Sequence, residues 1–152
     1  MNGEISGTIM HWQDETQAYD EAVGEQIGLN AAERRCLGLL HEGPQSAGAI
    51  ATAIGLTPAA VTALVDRLEA RGLLTRRRSD EDRRKVIIEA TAKAAEIGER
   101  YYGSIAREGL GMLASFDEAE LATILRFMKA ALELQRRQLQ TLKAEPAGAQ
   151  TV

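Results

Sequence analysis

Residues 56 to 85 read LTPAAVTALVDRLEARGLLTRRRSDEDRRK, and the reading of this stretch decides the fold. Thr57 is a good helix N-cap, and Pro58 suits the first helical position, where its missing N–H costs nothing. Val61, Leu64, Val65 and Leu68 then recur at i, i+3, i+4 and i+7, which makes one buried face on a helix over residues 58 to 71. Gly72 stands where a helix ends in a left-handed residue, and Leu73-Leu74-Thr75 restarts the chain as a short strand. The hairpin that follows carries Arg76, Arg77, Arg78, Arg83, Arg84 and Lys85 at its tip, and Lys85 to Ala90 is its return strand. The outer face of the helix offers Thr57, Pro58, Ala59, Thr62, Ala63, Asp66 and Arg67.

Working outward, residues 46 to 54 form a short helix that starts at Ser46 and stops at Gly55, so residues 46 to 71 make a helix-turn-helix. Upstream, Asn30 caps another helix, with Glu33 three residues on as in a capping box, and Gly43-Pro44 ends it. Before that, Ile9, Trp12, Thr16, Tyr19, Val23 and Ile27 follow helical spacing from about Thr8, and Gly28 closes the segment. Downstream, Thr91 caps a long helix reaching about Ser115, weakened by glycines and expected to bend near Gly109-Leu110-Gly111. Asp117 and Glu120 open a last helix with an apolar repeat at Leu121, Leu125, Met128, Leu132, Leu139 and Leu142. Residues 1 to 7 and 144 to 152 read as disordered ends.

The fold class is therefore mainly α with one small β-hairpin, as in a winged helix-turn-helix. Aromatic residues are only 4% of the chain, so its core must be largely aliphatic. One cysteine excludes an internal disulfide and a cysteine-based zinc site, which suits a reducing cytoplasm. MNGEISG has neither the basic start nor the apolar run of a leader, and no stretch approaches the ~20 apolar residues of a membrane span. His11, His41 and Cys36 lack metal-ligand spacing, and no phosphate-cradling glycine motif or hydrolase nucleophile motif occurs. No catalysis, cofactor or metal is expected.

The total charge of −4 misleads until it is divided. Residues 71 to 85 hold seven basic and three acidic side chains, a local +4 that leaves −8 on the remainder. Screening confines the effect of exposed charges to roughly 8–10 Å at physiological salt, so their placement outweighs the total. A free helix face beside a cationic hairpin points to double-stranded DNA as the partner.

The run AGAIATAIGLTPAAVTALVDRLEARGLLTRRRSDEDRRKVIIEAT, with the helices around it, resembles the MarR family of winged-helix transcriptional regulators. The specific motifs cover about residues 30 to 95, and the remainder agrees only in helix order. Two departures fall after the second wing strand. The usual Leu-Thr is Ala90-Thr91, and the glycine that normally follows is missing.

The resemblance implies a homodimer on a palindromic operator, with residues 58 to 71 in the major groove. It implies a winged helix-turn-helix over residues 30 to 90 and a dimerisation helix over 8 to 29. Residues 91 to 143 become the long helix plus a C-terminal dimerisation helix, with Ile9, Trp12, Tyr19, Leu121, Leu125, Met128, Leu132 and Leu139 as dimer contacts. In similar wings an Asp-x-Arg unit sits at the tip, which implies Arg84 in the minor groove and Asp82 as its brace. Arg76, Arg77, Arg78, Arg83 and Lys85 would then meet phosphates. Function is expected to be that of a repressor relieved by a small ligand, the alternative being a protein-interaction module that binds no DNA.

Blander readings compete at several residues. Trp12, Tyr19 and His41 are candidates for a ligand pocket, but packing for the first two and a helix-end role for His41 are the favoured readings. Peroxide-sensing members of the family use a cysteine in the first helix. Cys36 lies in the second, among Leu37, Leu39 and Leu40, and reads as a small core residue.

Overall fold

The computed structural model describes residues 1–79, 82 and 85–145. Its centre is the helix expected from the opening stretch, α4 (Pro58–Ala70). Thr57 caps it by accepting the Ala60 N–H through its hydroxyl, at 3.3 Å. Gly72, at φ 70°, ends it. There the Gly72 and Leu73 N–H groups donate back to the carbonyls of Glu69 and Leu68, the paired reversal that satisfies otherwise orphaned helix-end carbonyls. Val61, Leu64, Val65 and Leu68 are all buried, as their spacing requires.

Elements on both sides supply the rest of the core. These are α1 (Asn2–Ile27), α2 (Ala31–His41), β1 (Gln45–Ser46), α3 (Ala47–Ile54), β2 (Leu74–Arg78), β3 (Val86–Ala90) and α5 (Ala92–Leu113), with α6 (Glu118–Ala144) last. One aliphatic cluster joins Leu29, Cys36, Leu40, Ile50, Ile54, Leu73, Leu74 and Ile88 to the buried face of α4, with Ala94 and Ile97 packed against it. The sheet has the order β1-β3-β2, antiparallel throughout, with Leu74 opposite Ala90 and Arg78 opposite Val86. Asn30 and Glu33 form the expected capping box on α2, and Asp117 and Glu120 form another on α6. The chain divides into two units, Met1–Gly103 and Ser104–Val152. The first contains the whole winged helix-turn-helix. The second contains α6, in which no residue is buried.

Three expectations need correction, and one strand was not foreseen. Residues 1 to 7 are not disordered, because α1 already begins at Asn2, with Glu4 in its first turn paired to the N-terminal ammonium. Extending an existing helix costs far less than nucleating one, so its apolar repeat need not reach the helix end. The C-terminal tail begins later than expected, since α6 runs through Ala144, and residues 146–152 lie outside those described. Strand β1 has only two residues, too few to show a periodicity, and was not expected. Arg76, Arg77 and Arg78 belong to β2, not to the hairpin tip, because the ladder with β3 continues as far as Arg78 and Val86.

Candidate nucleic-acid interface

The outer face of α4 is open to solvent as its spacing predicts. Thr57, Pro58, Ala59, Thr62, Ala63, Asp66 and Arg67 are all exposed. The Thr62 hydroxyl donates to the Pro58 carbonyl at 3.1 Å, which leaves its oxygen to accept. The face is small and weakly polar at its N-terminal end and charged at its C-terminal end.

That charge is organised by cross-element pairs which sequence spacing does not reveal. Arg76 on β2 donates to both Asp66 and Glu69 on α4, so one guanidinium ties the hairpin to the helix and offsets part of the charge of the two carboxylates. Arg77 donates to Glu89 across the hairpin at 2.9 Å. Arg67 gives its Nε–H to Glu33 at 2.9 Å, and Glu33 is the buried capping carboxylate of α2. Arg71 donates to the carbonyls of Ile27 and Gly28, each at 2.6 Å. The roles of Glu33, Glu69, Glu89 and Arg71 were thus missed. Only the capping-box position of Glu33 signalled any of them.

At the far end of the hairpin, Ser79 N–H donates to the Lys85 carbonyl and Lys85 N–H donates to the Asp82 carbonyl. Arg83 and Arg84 lie outside the described residues.

Arg76→Ala is expected to cost only ~1 kcal/mol of stability, because its partners are substantially exposed and such pairs are screened. Its effect on DNA affinity should be the larger one, since two uncompensated carboxylates would then face phosphate. Urea unfolding alongside a DNA titration checks the split. A mutant that loses stability but no affinity would contradict it.

The pocket candidates are Trp12, Tyr19 and His41. Trp12 and His41 are exposed on α1 and α2. Tyr19 donates its hydroxyl to the Tyr101 carbonyl and meets the Tyr102 ring edge-on at 5.8 Å. Tyr102 donates to Asp20 at 2.9 Å, and burial followed by that hydrogen bond pushes its phenol up to about 12. A concavity of about 430 Å3 is lined by Glu21, Gly24, Glu25, Gly28, Leu29, Ala31 and Arg34, none of them a proposed pocket residue. The stripe residues Trp12, Tyr19, Leu125, Met128, Leu132 and Leu139 are each 38% or more exposed in the single chain, which leaves them open to a partner.

Cys36 is fully buried, and burial pushes its thiol from 9.0 up to about 11. Little thiolate therefore exists at neutral pH, which argues against a redox role. Between about pH 9 and 11 the unfolded chain has released a proton that the native chain still holds, so stability falls as pH rises through that window. Melting temperatures of the wild type should drop more steeply there than those of Cys36→Ala. Parallel curves would contradict the assignment.

Residues 27–85 match the model of the MarR family, a span running from the end of α1 through the wing. Over that span the chain is similar to the MarR family. Among curated relatives, it is 29% identical over 129 residues to the HTH-type transcriptional regulator YcgE of Bacillus subtilis, covering 84% of each chain. It superposes on the transcriptional regulator BldR of Sulfolobus solfataricus with a TM-score of 0.56 at 25% identity, covering 88% of this chain and 94% of that one. A MepR mutant of S. aureus, solved bound to an oligodeoxyribonucleotide, shares the fold at 22% identity and a TM-score of 0.56, with 91% and 98% covered. YcgE and BldR are transcriptional regulators. Among the described residues, no single helix is long and apolar enough to cross a membrane.

Proposed function

We propose that this chain is a regulator of the MarR family, a cytosolic homodimer that represses transcription by binding a palindromic operator, and that a small ligand relieves it. The observation that carries the DNA reading is the partial offset of acidic charge on α4. Its exposed face would otherwise present Asp66 and Glu69 to phosphate, and Arg76 holds both. Besides tying the hairpin to the helix, that arrangement suits a helix lying against a polyanion. Thr62 and the methyl groups of Ala59 and Ala63 suit thymine methyls and base-edge acceptors, and a face this small leaves much of the specificity to DNA shape. The MepR relative bound to an oligodeoxyribonucleotide supports the same partner.

Dimerisation is supported by the exposed apolar stripes of α1 and α6, which need a partner surface. A two-fold dimer would present two α4 helices to half-sites one helical turn apart, ~34–36 Å. Selection of binding sites from random duplex DNA, followed by sedimentation of the complex, tests this. The expected outcome is a site with inverted repeats carrying two chains. Non-palindromic enrichment, or one chain per site, would overturn the dimer reading.

A further inference from the structure

The turn between α1 and α2 is held by an unusual concentration of guanidinium groups. Gly28, at φ 63°, makes the turn possible, and the carbonyls of Ile27, Gly28 and Leu29 each accept a guanidinium N–H. Arg71 donates Nη2–H to the first and Nη1–H to the second, both at 2.6 Å, and Arg34 donates Nη1–H to the third at 3.1 Å. Arg67, one turn before Arg71 on α4, holds Glu33 at the other end of the turn. The backbone approach is tight as well. A Cβ on Gly24 would sit 2.7 Å from the Leu29 carbonyl oxygen.

Electrostatics explains why a cation is wanted. Helices α1 and α4 both end at this junction, and each helix C-terminus carries about half a negative charge on unpaired carbonyls. The last turn of α1 has no basic residue of its own. Arg71 supplies one from the C-cap of α4, while Lys93 donates to the Arg71 carbonyl at 2.8 Å and Thr91 to that of Gly72 at 2.7 Å. One side chain thus fastens two like-signed helix ends, and two adjacent carbonyls call for the planar fork of arginine, which lysine cannot reproduce.

We propose that Arg71 is a positioning residue for DNA reading. It latches the end of α1 to the end of α4, so that the α1–α2 turn sets the angle at which α4 presents Thr62 and its neighbours. The proposal rests on the DNA-binding reading of α4. A rival role exists, because Arg71 also begins the cationic stretch and a phosphate could take its guanidinium. The two roles differ in salt dependence. A lost phosphate contact makes the log–log salt slope shallower by about one, whereas a lost positioning contact lowers affinity and leaves the slope unchanged.

The test titrates wild type, Arg71→Ala and Arg71→Lys against a duplex selected from random DNA, by fluorescence anisotropy across salt concentrations. Amide hydrogen exchange is measured on the same free proteins. Both variants should bind about tenfold more weakly with an unchanged slope. The Gly28 and Leu29 amides, which donate to Glu25 and Gly24, should exchange faster. Gly24→Ala, which removes no charge and strains the same turn from the α1 side, should also weaken binding at constant slope. A slope shallower by one in Arg71→Ala, full rescue by Arg71→Lys, or unchanged affinity would each overturn the positioning role. Unchanged exchange would show that the latch is absent in solution. A wild type that binds DNA without salt dependence would instead overturn the DNA reading, and exchange would still decide the latch.

Discussion

Leu68→Ala is expected to destabilise the native state by ~2–5 kcal/mol, a large share of the ~5–15 kcal/mol that holds a typical domain. Leu68 is fully buried on α4 and belongs to the aliphatic cluster that also includes Leu64, Leu73, Ile50 and Ile88. Its carbonyl accepts the Leu73 N–H where the helix hands over to the wing. Truncation removes favourable burial and leaves a cavity beside Leu73, which the helix end cannot easily collapse to fill. Thr62→Ala on the opposite face should stay within ~0.5 kcal/mol, because exposed sites away from caps and cores rarely matter more. Urea unfolding followed by circular dichroism measures both. A Leu68→Ala loss below ~1 kcal/mol would mean that α4 is not packed as described.

Arg84→Ala should weaken operator binding by ~1–3 kcal/mol while leaving folding intact. The reasoning starts from the arginines that are already engaged. Arg76 is shared between Asp66 and Glu69, and Arg77 faces Glu89, so phosphates must compete with carboxylates for both. The tip sequence Asp80-Glu81-Asp82-Arg83-Arg84-Lys85 carries three anions followed by three cations, so its cations are grouped on the return side. The antiparallel ladder carries the chain out to Arg78 and Val86, and the bonds between Ser79, Lys85 and Asp82 close the turn beyond it. A guanidinium delivered by such a hairpin suits a narrow minor groove, where negative potential is concentrated. Competition titrations with narrow-groove and wide-groove flanks measure the loss. Equal affinity of Arg84→Ala and wild type would assign the minor groove to another side chain.

Much of this architecture was legible because it is written in local signals. Thr57 with Pro58, Asn30 with Glu33, Asp117 with Glu120, and Gly72 each act within four residues of themselves, and each is seen where its chemistry places it. The buried stripe of α4 is equally local, because a helical repeat declares its own inner face. What sequence reading missed acts across distance. Arg67 and Glu33 are 34 residues apart, and Arg71 and Gly28 are 43 apart, so no spacing rule could pair them. Arg76 was read as one of a row of phosphate ligands because charge runs look alike until a strand register assigns each residue a side. The two-residue strand β1 exists only because β3 lies beside it, with Gln45 opposite Ile88. The early start of α1 follows from cooperative extension, which leaves no mark on the apolar pattern.

The central claim, that α4 and the wing together bind DNA, is tested most directly by the salt dependence of affinity for a selected duplex. Neutralising several phosphates per dimer predicts that log affinity falls linearly with log salt, at a slope of about −0.9 for each phosphate. A slope of several units is the result expected from this interface. A flat response would contradict it.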